Sequence, residues 1–556
     1  MKKTIIFLFI LITFVMSAVP IPEFDAFHRE ISRQTAQWQG THSPNENSRE
    51  YVIGDIHVYW SWDLSVMPPL WIQTPATCRA VGEFCYVFVA DDQWNVHMDQ
   101  DDVDLVFNYL ENETLNSTEY GAVEMDINLF GPVPDELDND PKVIVFYSEL
   151  GSFMGTSFDG YFSAYNQVTE AQAQQMNPSG HSNECEMIYM TCSPLNPTDP
   201  IRISVLAHEL QHMIHWGADV NEETWLNEGC SELAMVYFGL PDPIINFPSQ
   251  PDNQLNVWNQ EFADYVKVML FFTYLEEHFT TIENEFILDI VWDATNGLQS
   301  IIDQLIENGF AIPFEAVFLN WTIANFIDDP TCEQGQYGYE LLDLPNFYTV
   351  GSHTSFPVSR TGTVQPWATD YIRVFPNGAN IEHDITINNA YQSIGLIKRL
   401  NDVDEYEVEG FTVNGAWTGY IPPEWNDLYY YVVYVYANHS NSSINYSYNL
   451  EEVVSAVNDL PESEIILSNY PNPFNPSTTI SFQLNTETPE NTELVIYNLK
   501  GQKIRTFSNL QITQSPDQQI VWDGTDDSGK AVSSGVYFYK LKSGNFEISK
   551  KMLLMK

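Results

Sequence analysis

Hydrophobic and polar positions along the chain change their period in blocks, and each block predicts a different kind of structure. Residues 19–50 are polar and weakly patterned, as expected of a leader. From Tyr51 to about Pro141 strand-like runs appear at Val52–Trp62 and Cys85–Ala90, with an acidic helical stretch at Asp101–Glu111. Lys142-Val-Ile-Val-Phe-Tyr147 and Glu186-Met-Ile-Tyr-Met-Thr191 are short apolar runs of the length of buried strands. Helical spacing dominates from Pro200 to about Asp328. Beyond Gly351 the pattern alternates, as at Tyr371–Phe375, Asp384–Ile387 and Tyr429–Tyr436, with Gly, Asn and Pro between the runs. That is the pattern of a β-sandwich of roughly 100 residues. Residues 451–464 form an acidic linker to a second small all-β unit at 465–556. The expected fold class is multidomain α+β: a β-rich N-terminal region at 19–140, a domain at 141–345 with a mainly helical C-terminal half, and two small all-β sandwiches at 351–455 and 465–556.

The first 18 residues stand apart from this pattern. Met1-Lys2-Lys3, an apolar run from Ile5 to Val15 broken by Thr13, and Met16-Ser17-Ala18 make a secretory signal peptide, with an apolar run too short to span a bilayer. The chain is therefore expected to be secreted or attached to a cell surface, with no transmembrane segment in its mature form. Its 556 residues carry 76 acidic and 22 basic side chains, a net charge of −54. Nucleic acid is excluded as a partner, because phosphate recognition needs a basic surface. Residues 456–556 hold 11 acidic and 9 basic residues, so almost all of the excess lies upstream. The six cysteines fit an oxidising compartment, with Cys78/Cys85 and Cys185/Cys192 spaced for local disulfide loops and Cys230 and Cys332 left as a further candidate pair.

The candidate chemistry lies between residues 208 and 232. In His208-Glu209-Leu210-Gln211-His212 the two histidines are four apart, so on a helix both imidazoles reach one metal ion. Glu209 lies beside the first ligand, placed to take a proton from metal-bound water. Asp199 is a candidate N-cap, Pro200 suits the first turn, and Gly217 is expected to follow the last. Trp225-Leu226-Asn227-Glu228-Gly229-Cys230-Ser231-Glu232 opens a second helix expected to run to Phe238 and stop at Gly239. Glu228 supplies a third ligand, and Glu232, one turn later, a hydrogen bond to a ligand histidine. Two histidines, a carboxylate and an open fourth position describe a catalytic zinc site.

These residues resemble the gluzincin metallopeptidases, and Leu206–Trp216 with Thr224–Glu232 look most like the secreted hyicolysin-type branch. The resemblance covers about residues 140–330. It implies a zincin-like catalytic domain, a zinc endopeptidase acting on protein or peptide substrates, His208, His212 and Glu228 as ligands, and Glu209 as general base. The metzincin pattern would need Gly at 215 and His at 218, where the chain has His215 and Ala218. His215 is expected to pack beside Trp216 rather than to bind metal. The run Asp264-Tyr265-Val-Lys267 to Glu276 is similar to a helix of leukotriene-hydrolase-like enzymes, which makes Tyr265 the candidate donor to the oxyanion.

The C-terminal block carries its own signature. Leu467-Ser-Asn-Tyr470-Pro-Asn-Pro-Phe474 precedes Thr479–Phe482, and Val495–Gly501, Trp522-Asp523-Gly524 and Ser534–Leu541 follow. The block resembles the type A C-terminal sorting domain of type IX secretion cargo, which implies contact with outer-membrane secretion machinery. Asp523, Asp526 and Asp527 offer carboxylates for calcium, although a polar turn is the stronger reading. A rival function of another class is a surface adhesin that uses the proteinase domain as a scaffold.

Overall fold

The computed structural model describes residues 22–39, 49–135, 137–281, 284–310, 312–388, 392–401, 403, 405–453, 467–470, 474, 476–482, 492–498, 502–508, 518–543 and 546–554. The signal peptide lies outside them, as do residues 454–464 of the linker expected at 451–464, whose first two residues instead end a strand that runs to Glu452. The chain divides into two compact units, 1–453 and 454–556.

The first unit opens with α1 (Pro22–Thr35), followed by β1 (Ile56–Asp63), β2 (Leu70–Val81), β3 (Cys85–Ala90), α2 (Gln100–Glu111) and α3 (Ala122–Phe130). Then come β4 (Val143–Glu149), a small hairpin of β5 (Ser152–Phe153) and β6 (Thr156–Ser157), β7 (Gly160–Phe162), α4 (Glu170–Met176) and β8 (Met187–Ser193). Six strands form one sheet in the order β1-β2-β3-β4-β8-β7, parallel from β3 through β8 and antiparallel at both margins. All of β3 and β8 is buried, and β4 is buried up to its last residue, which is why these strands read as unbroken apolar runs. The expected boundary near residue 141 is corrected by this sheet. Cys85 pairs with Val143, so residues 56–90 supply half of the strands and belong to the same fold as the motif helices.

Six helices follow: α5 (Pro200–Ala218), α6 (Thr224–Phe238), α7 (Phe262–Phe279), α8 (Phe286–Val291), α9 (Leu298–Glu307) and α10 (Phe314–Ile327). The Asp199 side chain accepts no hydrogen bond from α5, contrary to expectation. The first turn is tied instead by Arg202, whose Nε lies 2.6 Å from Asp159 just before β7. Gly217 falls within the last turn, since α5 runs on to Ala218. α6 ends as expected at Gly239, whose φ of 100° is the left-handed conformation that glycine adopts without a Cβ clash.

The alternating region forms β9 (Gly351–His353), β10 (Val358–Val364), β11 (Ala368–Val374), β12 (Ile381–Ile387), β13 (Gln392–Leu400), β14 (Tyr406–Val413), β15 (Ala416–Ile421), α11 (Trp425–Leu428), β16 (Tyr429–Asn438) and β17 (Ile444–Glu452). Sheets β10-β17-β12-β15 and β14-β13-β16-β11-β9 enclose a core of Ile372, Ile385, Ile394, Val432 and Tyr434. Their outer side is continuous with the helical half: Tyr371 Oη on β11 donates to Thr322 O on α10 at 2.5 Å.

None of the expected disulfides is present; all six cysteines are buried free thiols. Cys185 lies just before the extended β8 and Cys192 near its end, which separates them by about 20 Å. Cys78 pairs across the β2–β3 hairpin with Phe88, not Cys85, so those two are about 10 Å apart. A disulfide needs Cα atoms within about 7 Å. Cys230 is interior to α6, whereas the Cys332 sulfur lies 3.9 Å from Tyr406 O.

The second unit contains β18 (Leu467–Tyr470), β19 (Thr478–Phe482), β20 (Glu493–Asn498), β21 (Lys503–Phe507), β22 (Gln518–Trp522), β23 (Gly535–Ser543) and β24 (Phe546–Leu554). Sheets β18-β19-β22 and β21-β20-β23-β24 share a core built around Phe474, Trp522, Tyr537 and Leu554. The structure is thus a mixed helix and sheet protein with sheet pairs toward its C-terminus.

Candidate metal centre

Helix α5 packs against α6, α3, β7 and β8, and its residues 208 and 212 meet α6 at Glu228. The start of α6 sits hard against α7: a Cβ added at Gly229 would come within 2.2 Å of the Phe272 ring. This close approach places the neighbouring Glu228 opposite the α5 histidines. His208 Nε2 and His212 Nε2 are 3.1 Å apart, and Glu228 Oε2 lies 3.5 Å from the first and 3.7 Å from the second. Tetrahedral zinc with bonds of about 2.0–2.1 Å sets its ligand atoms about 3.3–3.4 Å apart. The three atoms therefore make a triangle of the size that one zinc ion spans, and their N,N,O set is one that zinc accepts.

Each imidazole is oriented by its other nitrogen. Glu232 Oε1, on a fully buried side chain, lies 3.3 Å from His208 Nδ1, as expected for an outer partner of a ligand histidine. His212 Nδ1 meets Asn227 Oδ1 at 2.5 Å, and Ser231 Oγ lies 3.0 Å away. Asn227 and Ser231 were given no role on sequence. Their signal was present in the helical spacing, since residues 227, 228, 231 and 232 occupy one side of α6.

Burial opposes charge on His208, but Glu228 and Glu232 outweigh it and raise its pKa well above the ordinary value. At His212 burial prevails and the pKa is lowered. Burial also raises Glu232, whereas at Glu228 the two histidines overcome burial and lower the pKa. His215 is fully buried, accepts from Gln211 at 3.1 Å, and is pushed by burial to a pKa of about 3. It faces the core beside the site rather than the three ligand atoms.

The centre lies in a cavity of about 440 Å³ that Glu209, Tyr265 and all of β7 also line. Glu209 is held by the Phe162 N–H, which donates to its Oε2 at 2.8 Å. Tyr265, the second residue predicted from sequence, is brought into the same cavity, with its ring edge-on to Trp258 at 4.8 Å. Lys267 is turned elsewhere: fully buried, it bonds Asp264, Asn253 and the Val257 carbonyl and pins the start of α7.

The remaining wall was not foreseen. Phe24, His28, Arg29, Ser32 and Arg33 of α1 line the same cavity as His208, His212 and Glu228. Phe24 packs on Phe158 at 4.8 Å, and Trp216 Nε1 donates to Thr35 Oγ1 at 3.1 Å. Gln39 then donates to the carbonyls of Trp216 and Gly217 at 3.0 and 2.9 Å, so the leader is anchored to the end of α5. His28 Nε2 is buried without a hydrogen-bond partner.

In the C-terminal unit, two of the carboxylates considered for calcium close turns and the third ties its turn to β21. Asp523 accepts from Thr525 N at 3.2 Å, Asp526 from Ser528 N at 2.9 Å, and Asp527 from Thr506 N at 2.9 Å. Comparison with known families matches residues 468–555 to the secretion system C-terminal sorting domain. Residues 468–555 are a type IX sorting domain. The sorting domain makes the protein a secreted or surface-attached bacterial protein that engages the type IX secretion machinery. No helix among the described residues is long and apolar enough to cross a membrane.

No curated protein matches the chain. Among solved structures it is similar to PorZ, an essential bacterial surface component of the type IX secretion system of Porphyromonas gingivalis, at 14% identity over 22% of this chain and 15% of that one, with a TM-score of 0.14. It is also similar to dimeric latent PorU from P. gingivalis, at 16% identity over 31% of this chain and 16% of that one, with a TM-score of 0.17. The Endo-D glycoside hydrolase domain of Streptococcus pneumoniae R6 follows at 6% identity, over 35% and 33% of the two chains and a TM-score of 0.11. The chain thus spans about a sixth of the first two structures, and at these TM-scores the likenesses carry no argument about its fold or chemistry.

Proposed function

We propose that the first unit is a secreted zinc endopeptidase with a zincin-like catalytic domain, synthesised with α1 covering its active site. The observation that carries this reading is the triangle of His208, His212 and Glu228 atoms, with edges of 3.1, 3.5 and 3.7 Å, beside a carboxylate that is not a ligand. A zinc ion held there supplies a Lewis acid that polarises water and the scissile carbonyl. Glu209, fixed by the Phe162 N–H, takes the proton from the attacking water and passes it to the leaving amine. Tyr265 donates a hydrogen bond where negative charge develops on the carbonyl oxygen. Glu232, Asn227 and Ser231 keep the imidazoles in position throughout. β7 is the outer strand of its sheet and lines the cavity, so an extended peptide chain can pair along the part of its edge that Glu209 does not occupy. Such binding suits cleavage within a chain rather than at its end. The leader helix blocks this approach, which makes it an inhibitory segment to be removed after export.

The test is casein hydrolysis by the full chain without its signal peptide, before and after limited proteolysis of the leader. Hydrolysis is expected to appear on leader removal, to vanish with 1,10-phenanthroline and to return with zinc. Cleavage indifferent to the chelator, or no cleavage in either form, would refute the proposal.

A further inference from the structure

A second group of carboxylates, remote in sequence from the zinc ligands, points to another metal. Asp135 and Asp138 lie on the loop between α3 and β4, and Glu186 immediately precedes β8. One oxygen from each of the three lies within 4.8 Å of the other two. Glu186 is 1% exposed and Asp138 5%, so two of the three are taken almost wholly out of water. An ionised carboxylate in such a place needs donors or a cation. Neither oxygen of Glu186 has a hydrogen-bond partner, and neither does Asp135 Oδ1. The neighbouring Asp140 shows what satisfaction looks like here: its oxygens accept from Tyr86 Oη at 2.7 Å and Lys142 N at 3.2 Å. The nearby cation, Arg49, spends its hydrogen bonds on the carbonyls of Asn183 and Glu184, at 2.8 and 3.4 Å. Burial first, and then the neighbouring carboxylates, hold the pKa of Asp138 up at about 6 and raise that of Glu186 well above the ordinary carboxylate value.

We infer that Asp135, Asp138 and Glu186 bind a calcium ion that clamps the α3–β4 loop to the start of β8. The donor set is all oxygen, which selects a hard divalent cation over zinc or copper. Oxygens around calcium stand about 2.3–2.6 Å from the ion, so any two lie within about 5 Å of each other, as these do. Magnesium holds its waters tightly and is a poor fit to a place where Glu186 is stripped of solvent. The ion would act on stability: β4 and β8 are neighbours, and Ile144 N already donates to Glu186 O at 2.8 Å, so the clamp fastens the loop onto an existing junction. This inference does not depend on the zinc reading.

The experiment uses the full chain, freed of calcium with EGTA and then titrated with calcium chloride by calorimetry and thermal melting. At about 5 mM, above the 10⁻⁴–10⁻³ M dissociation constants of extracellular calcium modules, the wild-type Tm is expected to rise by several degrees. Magnesium at the same concentration should give less than half that rise. Glu186→Gln should lose one calcium equivalent and most of the calcium-induced rise, while melting at or above wild type in EGTA because one buried charge is gone. Its zinc content should be unchanged. Should Glu186→Gln fail to fold, Asp135→Asn, on a partly exposed loop residue, reads the same quantities. Wild type that gains no stability from calcium, or a variant that binds as much calcium as wild type, would overturn the inference and leave the three carboxyl groups sharing protons.

Discussion

Glu209→Gln exchanges one oxygen for an amide nitrogen at almost constant volume, and the amide oxygen can still accept from the Phe162 N–H. If Glu209 is the base, proton transfer is lost while His208, His212, Glu228 and the fold are untouched. The variant should keep its zinc and lose nearly all turnover; a tenth of wild-type kcat or more would remove Glu209 as the base. Tyr265→Phe asks a different question, because the ring and its contact with Trp258 survive and only the hydroxyl goes. If that hydroxyl serves the transition state, kcat should fall roughly 10²-fold, about 2.7 kcal/mol, with KM little changed. Activity within about twofold of wild type would make Tyr265 a packing residue. His208, His212, Glu228 and Glu232 were legible in the sequence because the helical period dictates which residues share a face. Asn227 and Ser231 lie on the same side of α6, but their contacts with His212 depend on how closely α6 crosses α5, which no period in the sequence records.

Among the elements, α1 departs most from expectation. Its mean polarity reads as a leader, yet Phe24, Phe27, His28 and Ile31 recur at helical spacing, and Phe24 and Ile31 are buried. The surface they cover comes from Trp62, Phe158, Tyr161 and Trp216, which no local pattern connects to residue 24. β7, three residues long, is likewise too short for any period to show. If α1 is inhibitory, Phe24→Asp should loosen it, since a charge cannot stay in that aromatic pocket without cost. Peptidase activity of the otherwise intact chain should then rise at least tenfold without leader cleavage. Unchanged activity in a variant that is otherwise folded would show that the helix does not gate the site.

At the scale of the whole molecule, the alternation visible in the sequence marked the strands of 351–453 and of the sorting domain, but not their order, since β10 pairs with β17 and β11 with β16. The pattern placed the first boundary wrongly because β3 meets β4 across more than fifty intervening residues, a pairing that leaves no periodic trace. The cysteine spacings misled for a related reason: six intervening residues close a loop in one backbone and separate the ends in an extended strand. The same long-range assembly brings β7, α1, α5, α6 and α7 around one cavity, with the His208, His212 and Glu228 atoms in its wall. The most direct test is therefore zinc per chain, measured by mass spectrometry on the purified full-length protein and on Glu228→Ala. One zinc per wild-type chain, falling to a small fraction in the variant, is the predicted result. A wild-type chain that takes up no zinc, or a variant that holds as much as wild type, would contradict it.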